Sequence, residues 1–359
     1  MRKEMNDSSI IEMFGLSYDQ SLLMFSAQKL ITQEDLRLTK NDNKIKIKKA
    51  WIKEWENGIV TYLGNIKEGE KVSLLSYTDL QDKFKDELNN SNNLTWYYII
   101  ALELLEFVPY TSLGGDMDKE YSRCKFDEKK CNEYTKKLLL EHEYITNEKI
   151  ERLDKVYSKS LAQIAGKAGK IVTKVMIVVA ITALAAAGAA IFAPGIAVAL
   201  FGSAFEGLSG IALANACLAL AGGGAVAAGG LGVAGGTAVI AGGGALLGFA
   251  GSGTVMGVLS ALMISSPEYT LTQAAKLETI LKEVIINAQQ DVVCAQKIIS
   301  EYKVQISELS KKLTQMELEN EKNKKEIKNV KACIKYLTKS CKDMSIFTTA
   351  YEEGLKTEA

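Results

Sequence analysis

The chain has 359 residues, of which 47% are hydrophobic and 24% charged, and its 43 basic and 43 acidic residues give a net charge of zero. This length allows two or three domains, and the charge balance provides no strongly basic face for nucleic acid. Six cysteines without a CxxC spacing and one histidine exclude multi-histidine metal sites and leave little room for Ser/His or Cys/His catalysis. We therefore expect no catalytic site, no metal and no cofactor.

Residues 1–118 are predicted to form an N-terminal helical region. The chain begins with polar residues. It shows no continuous apolar stretch followed by a small-residue cleavage site, so we expect no Sec signal peptide. The four-residue spacing of Trp51, Trp55, Ile59 and Leu63 predicts a helix with one aromatic and aliphatic face and lysines on the other. Such a helix can pack on a bundle or lie on an anionic membrane surface, and we favour packing.

The next two segments are also predicted to be helical. Residues 94–108 are strongly apolar but contain Glu103 and Glu106, which favours a buried helix over a membrane span. Residues 119–174 are rich in Lys, Glu, Tyr and Leu and lack proline, so they predict one long amphipathic helix or two helices in line. The histidine, His142, falls in this charged stretch, and we expect it to be a solvated surface residue.

Residues 175–267 carry one charged side chain, Glu206, in a stretch of 93 residues. Because a helix needs about 20 apolar residues to cross the hydrocarbon of a bilayer, this segment is long enough to cross several times. We predict a Gly/Ala-rich transmembrane hairpin region, with its first span at 175–193 and its last at 245–264. Lysines before the first span favour the cytoplasmic side, and with both flanks on that side the number of crossings is two or four.

Small residues recur inside this segment at four-residue intervals, which on a helix produces a smooth face for close packing against another helix. The pattern can pack one monomer's hairpin or drive self-assembly. A disordered glycine linker is a third reading, which the near absence of serine and charge makes weaker. Glu206 is the candidate polar residue of a pore, because a carboxylate at membrane depth usually faces water or protein; a loop between two spans is the alternative. The predicted packing residues are Gly224, Ala228, Gly232, Gly236, Gly244, Gly248, Gly253 and Gly257.

Residues 268–345 show the clearest periodicity in the chain. Apolar residues step by four and three over many turns, which predicts a long coiled-coil helix or, with a bend at Asn320 and Asn323, a helical hairpin. We favour packing in an intramolecular antiparallel bundle with residues 119–170, and a protein partner along the coiled coil is the alternative. Residues 346–359 are expected to form a C-terminal tail. The predicted seam residues are Ile299, Ile306, Leu309, Leu313, Met316, Ile327, Val330, Ile334 and Leu337.

A long helix, an apolar insertion that doubles back and a second long helix follow one another over residues 119–341. This organisation resembles the α-helical pore-forming toxins of the cytolysin A and haemolysin BL kind, whose soluble form is a bundle of long helices with a hydrophobic hairpin between two of them. The resemblance implies that the hairpin is released, inserts and assembles into a ring. The insertion here is longer and richer in glycine than that plan requires. A vaguer similarity is to apolipoprotein L-like and colicin-like proteins, in which a central apolar hairpin sits among amphipathic helices.

We therefore expect an all-α bundle of long, coiled-coil-like helices with a central hydrophobic membrane hairpin. The expected function is that of a membrane-inserting, pore-forming or membrane-permeabilising effector. Its expected partners are a lipid bilayer and further copies of the chain on insertion, with no nucleic acid. The protein is expected in or at a membrane, with a soluble cytoplasmic form before insertion. The alternative is an integral membrane protein whose cytoplasmic coiled coil is a scaffold or sensor without pore activity.

Overall fold

The computed structural model describes residues 16–66, 71–111, 113, 116–166, 267–319 and 324–358. These residues form helices and contain no strand, so the predicted all-α class is confirmed for them. The helices are α1 (Tyr18–Leu38), α2 (Asp42–Ile66), α3 (Tyr77–Asn90), α4 (Thr95–Leu105), α5 (Asp118–Tyr121), α6 (Glu128–Leu140), α7 (Asn147–Ala165), α8 (Pro267–Ile280), α9 (Val292–Glu319) and α10 (Lys324–Glu358).

The aromatic face of α2 lies inside the fold. Trp51 and Trp55 are each 1% exposed and stack with ring centroids 5.7 Å apart, while Ile59 and Leu63 are fully buried. The Trp51 ring also meets the ring of Tyr110 edge to face at 5.3 Å. This face is therefore already covered by the protein, which confirms packing rather than a membrane contact for the aromatic side of the helix.

Helix α4 is the apolar helix that the sequence placed inside a bundle, and this prediction is confirmed. Ten of its eleven residues are buried. It contacts α1, α6, α7 and α8, so it joins the N-terminal helices to those that follow the apolar segment. Burial on several sides explains why its sequence shows no amphipathic period.

The stretch predicted as one long helix or two helices in line over 119–174 is divided, as far as it is described, into α5, α6 and α7. Helix α6 begins where the Asp127 side chain accepts a hydrogen bond from the Lys130 backbone, and α7 begins where Thr146 accepts one from Lys149, each at 3.3 Å. Between them, Glu143 has a left-handed φ of 58°. Capping side chains that the periodicity does not reveal therefore interrupt the helix.

The heptad region is also interrupted. Helix α8 continues into a π-helix over Leu281–Ile286, and a turn with a left-handed φ of 56° at Gln290 separates it from α9. Ala288, which continues the apolar period in the sequence, is exposed in this turn. The chain therefore does not form a single rod. The predicted C-terminal tail, residues 346–359, is helical as far as Glu358.

Helices α9 and α10 form an antiparallel hairpin, the arrangement considered above with a bend near Asn320. The Lys331 ammonium lies 2.7 Å from the Glu317 carboxylate near the bend, and Gln296 donates to Glu352 at 2.6 Å near the other end. The seam residues Ile299, Leu309, Val330 and Leu337 are buried, Ile306, Leu313, Ile327 and Ile334 are half-buried, and the Met316 side chain lies outside the described part.

One hydrophobic core runs through the described helices, from Leu16 to Met344. The N-terminal helices and α7 to α10 are therefore parts of one packed body, although about a hundred residues separate α7 from α8 in the chain. None of the helices in the described residues is both long enough and apolar enough to span a membrane.

Candidate functional site

The predicted membrane residues lie in the part of the chain that the structure does not describe. Glu206 and the small residues from Gly224 to Gly257 are among them. The structure does describe the two helices that border this segment, α7 before it and α8 after it. The candidate site is therefore the end of the packed body at which these two helices border the apolar segment.

Helices α7 and α8 pack against each other in opposite directions. Near the start of α7, Arg152 forms an ion pair with Glu283, and further along, Ser160 donates to Glu278 at 2.7 Å. Contacting residues with higher numbers on α7 therefore have lower numbers on α8, so the two helices are antiparallel. Gly166 and Pro267 consequently lie at the same end of the helix pair, which we call the junction end.

The end of α7 is fixed by a glycine and a lysine. Gly166 has a φ of 72° and donates its backbone N–H to the Ala162 carbonyl. The Lys339 ammonium of α10 contacts the carbonyl oxygens of Gln163 and Ile164. A cation at a helix C-terminus compensates unpaired carbonyls and the helix dipole. The end of α7, the last described part of the chain before the apolar segment, is therefore held against α10.

Helix α8, which receives the chain from the apolar segment, is buried on all sides. Every residue from Thr270 to Leu281 is buried although several are polar or charged. Thr270 donates to the Cys333 sulfur at 3.2 Å, and Ser340 lies 3.4 Å from the Ala274 carbonyl oxygen. These contacts, in which positions on both helices rise together, show that α8 and α10 run parallel.

Glu278 is the centre of a polar layer inside this helix group. Its side chain is fully buried and accepts hydrogen bonds from Ser160 of α7 at 2.7 Å and from Ser340 of α10 at 3.1 Å. Lys282, one turn further along, supplies the countercharge at 2.6 Å. A buried carboxylate needs such partners because desolvation without them costs several kcal/mol. The layer thus ties three helices together at one level.

A second buried ion pair joins α8 to α4. The Lys276 ammonium lies 2.8 Å from the Glu103 carboxylate, and the two side chains are 7% and 1% exposed. Burial raises the pKa of Glu103 in spite of the neighbouring ammonium. Among the described residues, the second carboxylate oxygen of Glu103 has no hydrogen-bond partner. Because the pKa of Glu103 is higher in the fold than in the unfolded chain, lowering the pH protonates the buried carboxylate and removes its desolvation cost. Acid therefore does not destabilise the packing of α8 through Glu103.

A third buried charge lies among the N-terminal helices. Asp35 of α1 forms an ion pair with Lys48 of α2, accepts from the Tyr110 hydroxyl at 2.6 Å and accepts from the Asp127 backbone N–H at 2.9 Å. Lys48 also donates to Thr39 at 2.9 Å. Because both carboxylate oxygens and the ammonium have partners, this cluster acts as a structural clamp between α1, α2 and the start of α6.

His142 is not the surface residue that the sequence predicts. It is 4% exposed, its ring lies 4.4 Å from that of Phe84, and its Nδ1 is 2.9 Å from the Tyr97 hydroxyl. Since this hydroxyl donates to the Leu139 carbonyl, it accepts from His142, whose Nδ1 carries a proton. Burial, aided by the charge of Lys85, lowers its pKa to about 4. The prediction relied on the charged neighbours of His142 in the sequence, but the turn before α7 directs this side chain into the core.

The described cysteines are free thiols, and four of the five are buried. Burial raises the pKa of Cys131 to about 12, so it is a poor nucleophile. No group of three or more His, Cys, Asp or Glu in the described residues is arranged to hold a metal ion.

No pattern in the sequence reveals Glu103, Lys276 and Glu278 as members of buried polar contacts in the core. A carboxylate within the apolar run of α4 is a signal that a buried partner must exist. The partner could not be found from the pattern, because Lys276 lies 173 positions away.

Comparison with protein-family models, with curated proteins and with solved structures found no match to this chain.

Proposed function

We propose that this protein inserts residues 175–267 into a lipid bilayer and permeabilises it. The observation that carries the proposal is the same-end placement of Gly166 and Pro267, at the two borders of a segment with one charge in 93 residues. A segment that leaves and re-enters a helical body at one end can enter a bilayer as hairpins without separating the helices that hold it. An even number of crossings fits this placement.

The packing of the described helices supports insertion from a folded body. Their large apolar side chains are mostly buried, and Lys276 and Glu278 of α8 have partners inside the protein. The helical body is therefore suited to water, and the apolar segment is suited by its composition to the hydrocarbon of a bilayer. In this proposal the body stays outside the hydrocarbon and the segment enters it.

Permeabilisation further requires that inserted helices meet and that a polar path exists. The four-residue spacing of small residues around Gly232 and Gly236 allows close helix contact, which lipid does not otherwise drive. Glu206 is the side chain that we propose to face the path, since an ionised carboxylate facing lipid is costly. Assembly of several copies through the small-residue face completes the pore.

The test is dye release from liposomes together with membrane binding after a carbonate wash. Wild-type protein should remain with the membrane and release the dye. Gly232→Leu should bind but release little dye, because bulk in the small-residue face blocks helix approach. Val233→Leu, a neighbouring position off that spacing, is the matched control and should behave as wild type. Glu206→Gln should permit release and change the ion selectivity.

Binding that resists carbonate without release of dye or ions at any protein concentration would contradict the pore. The anchored coiled-coil scaffold without pore activity would then be the better account. Complete removal by carbonate would contradict insertion itself.

A further inference from the structure

The α9–α10 hairpin extends past α8 at the junction end. Thr270 of α8 is level with Cys333 of α10, because their side chains are 3.2 Å apart and the two helices run parallel. Helix α8 begins three residues before this level and α10 begins nine residues before it. At 1.5 Å per residue, α10 starts about 9 Å beyond Pro267. The hairpin and the borders of the apolar segment therefore share one end.

The two ends of the helix group carry opposite charge. At the junction end, the described side chains of residues 311–331 include three lysines and one glutamate, a net charge of +2. At the far end, the described side chains of residues 143–149, 287–291 and 350–354 include five acidic residues and one lysine, a net charge of −4. The whole chain is neutral, so this difference reflects how charge is distributed along the helix axes.

Several of the lysines are available to a partner. Lys311, Lys328 and Lys331 are exposed, and the ion pair of Lys331 with Glu317 is itself exposed to solvent. Exposed pairs of this kind contribute little to stability, so the lysines can exchange partners at low cost. In the sequence, three more lysines follow Gly166 directly before the apolar segment.

From this placement we infer that the junction end is a docking surface for anionic lipid headgroups. The inference rests on the proposed function and adds to it the lipid class that the protein recognises. Positive charge at the point where the apolar segment leaves the body would orient that segment towards the bilayer, and the acidic far end would be repelled. Each lysine near an anionic membrane surface strengthens binding about fivefold, and the attraction extends about one Debye length.

The experiment is flotation of the full chain with phosphatidylcholine vesicles, with and without phosphatidylglycerol, at low and high salt. Wild type should bind the anionic vesicles more tightly, and added salt should reduce the difference. Lys328→Gln with Lys331→Gln should weaken binding to anionic vesicles about 20-fold or more and leave binding to neutral vesicles unchanged. Lys303→Gln with Lys342→Gln is the control, because these exposed lysines lie on the same two helices farther from the junction end. Circular dichroism checks that each variant is folded.

The outcomes separate this inference from the proposed function. Equal binding of wild type to both vesicle types, with carbonate-resistant insertion, would overturn lipid recognition and leave insertion standing. Equal weakening by the two lysine pairs would also overturn it, since general charge would then be responsible. Absence of binding to either vesicle type would contradict the proposed function, and the docking surface would fail with it.

Discussion

At the scale of single residues, the buried ionisable groups determine how stability responds to pH and to mutation. His142 and Glu103 are both buried, but burial shifts their pKa values in opposite directions relative to the unfolded chain. The imidazole is held neutral and the carboxylate is made more basic, because burial opposes the charged form of each. Acid therefore destabilises the fold through His142 and not through Glu103.

The first prediction concerns the pH dependence that His142 causes. Its pKa is about 4 in the fold and ordinarily 6.5, so between these values the unfolded chain binds the extra proton. The free energy of unfolding is not reduced by this group above pH 6.5, and it should fall by about 3 kcal/mol as the pH drops to 4. Urea unfolding at several pH values measures this loss.

His142→Asn is the control, since its side-chain N–H can still donate to Tyr97 but does not titrate. Carboxylates titrate in both proteins, so the difference between the two profiles is the quantity of interest. Identical slopes between pH 6.5 and 4 would show that His142 is not held neutral.

The second prediction concerns the Glu103 and Lys276 pair. Lys276→Met alone should cost about 3–5 kcal/mol, because it leaves a buried carboxylate without its countercharge. Glu103→Met with Lys276→Met should recover most of that loss, since neither charge is then buried. Urea unfolding of both variants measures this difference. If the double variant is as unstable as the single one, the loss of stability in Lys276→Met does not come from the unpaired Glu103 carboxylate.

At the scale of elements, helix ends and buried seams decide where each helix stops and what it packs against. Gly166 shows this for α7. Its backbone, at φ 72° and ψ −163°, lies in a region that is essentially restricted to glycine. An added Cβ would also come within 3.1 Å of the Lys339 ammonium.

The third prediction follows from this backbone. Gly166→Ala should destabilise the protein by about 1–3 kcal/mol, measured by urea unfolding. Gly354→Ala is the matched control, because Gly354 lies inside α10 with no atom within 4 Å of an added Cβ, and alanine there should gain up to about 1 kcal/mol. The same sign of change in both variants would argue against the strained end of α7.

The fourth prediction concerns the seam of α9. Leu309 is 3% exposed, and Leu309→Lys should cost several kcal/mol because it buries an unpaired ammonium. Thr314→Lys, on the exposed side of the same helix, should change stability little. Thermal unfolding followed by circular dichroism compares them. Equal melting temperatures would show that this face of α9 is not a packed surface.

At the scale of the whole molecule, α8 borders the apolar segment and packs against helices from both sides of it in the sequence. It contacts α4, α7 and α10, and its Lys276 and Glu278 side chains have partners within those contacts. We therefore expect the helices around α8 to remain packed while the apolar segment inserts. A body that opens completely would have to separate both buried polar clusters.

The fifth prediction tests this with a cross-link. Thr270→Cys places a second thiol beside Cys333, where the present oxygen and sulfur are 3.2 Å apart. After oxidation, α8 and α10 are joined, and dye release should continue at the reduced protein's rate. Release that stops on oxidation and returns with reductant would show that α8 must leave its site.

The sequence predicted the helical class, the buried aromatic face at Trp51 and the burial of α4, because these follow from apolar spacing. It did not predict the break before α7 or the turn at Gln290, which depend on single capping or left-handed residues. The prediction that His142 is exposed was wrong for the same reason, because the turn before α7 directs its side chain into the core. The pairing of Lys276 with Glu103 required tertiary contact and no local pattern contained it.

The contacts across the apolar segment also have a consequence during synthesis. Ser160 meets Glu278 over 118 positions and Lys276 meets Glu103 over 173, so the core cannot close until the last helices have left the ribosome. At the usual elongation rate, the 192 residues from 167 to 358 take roughly 10 to 40 s. For much of that time the apolar segment has emerged while the site of α8 is empty. During this interval the faces of α4 and α7 that α8 covers in the fold are exposed to water.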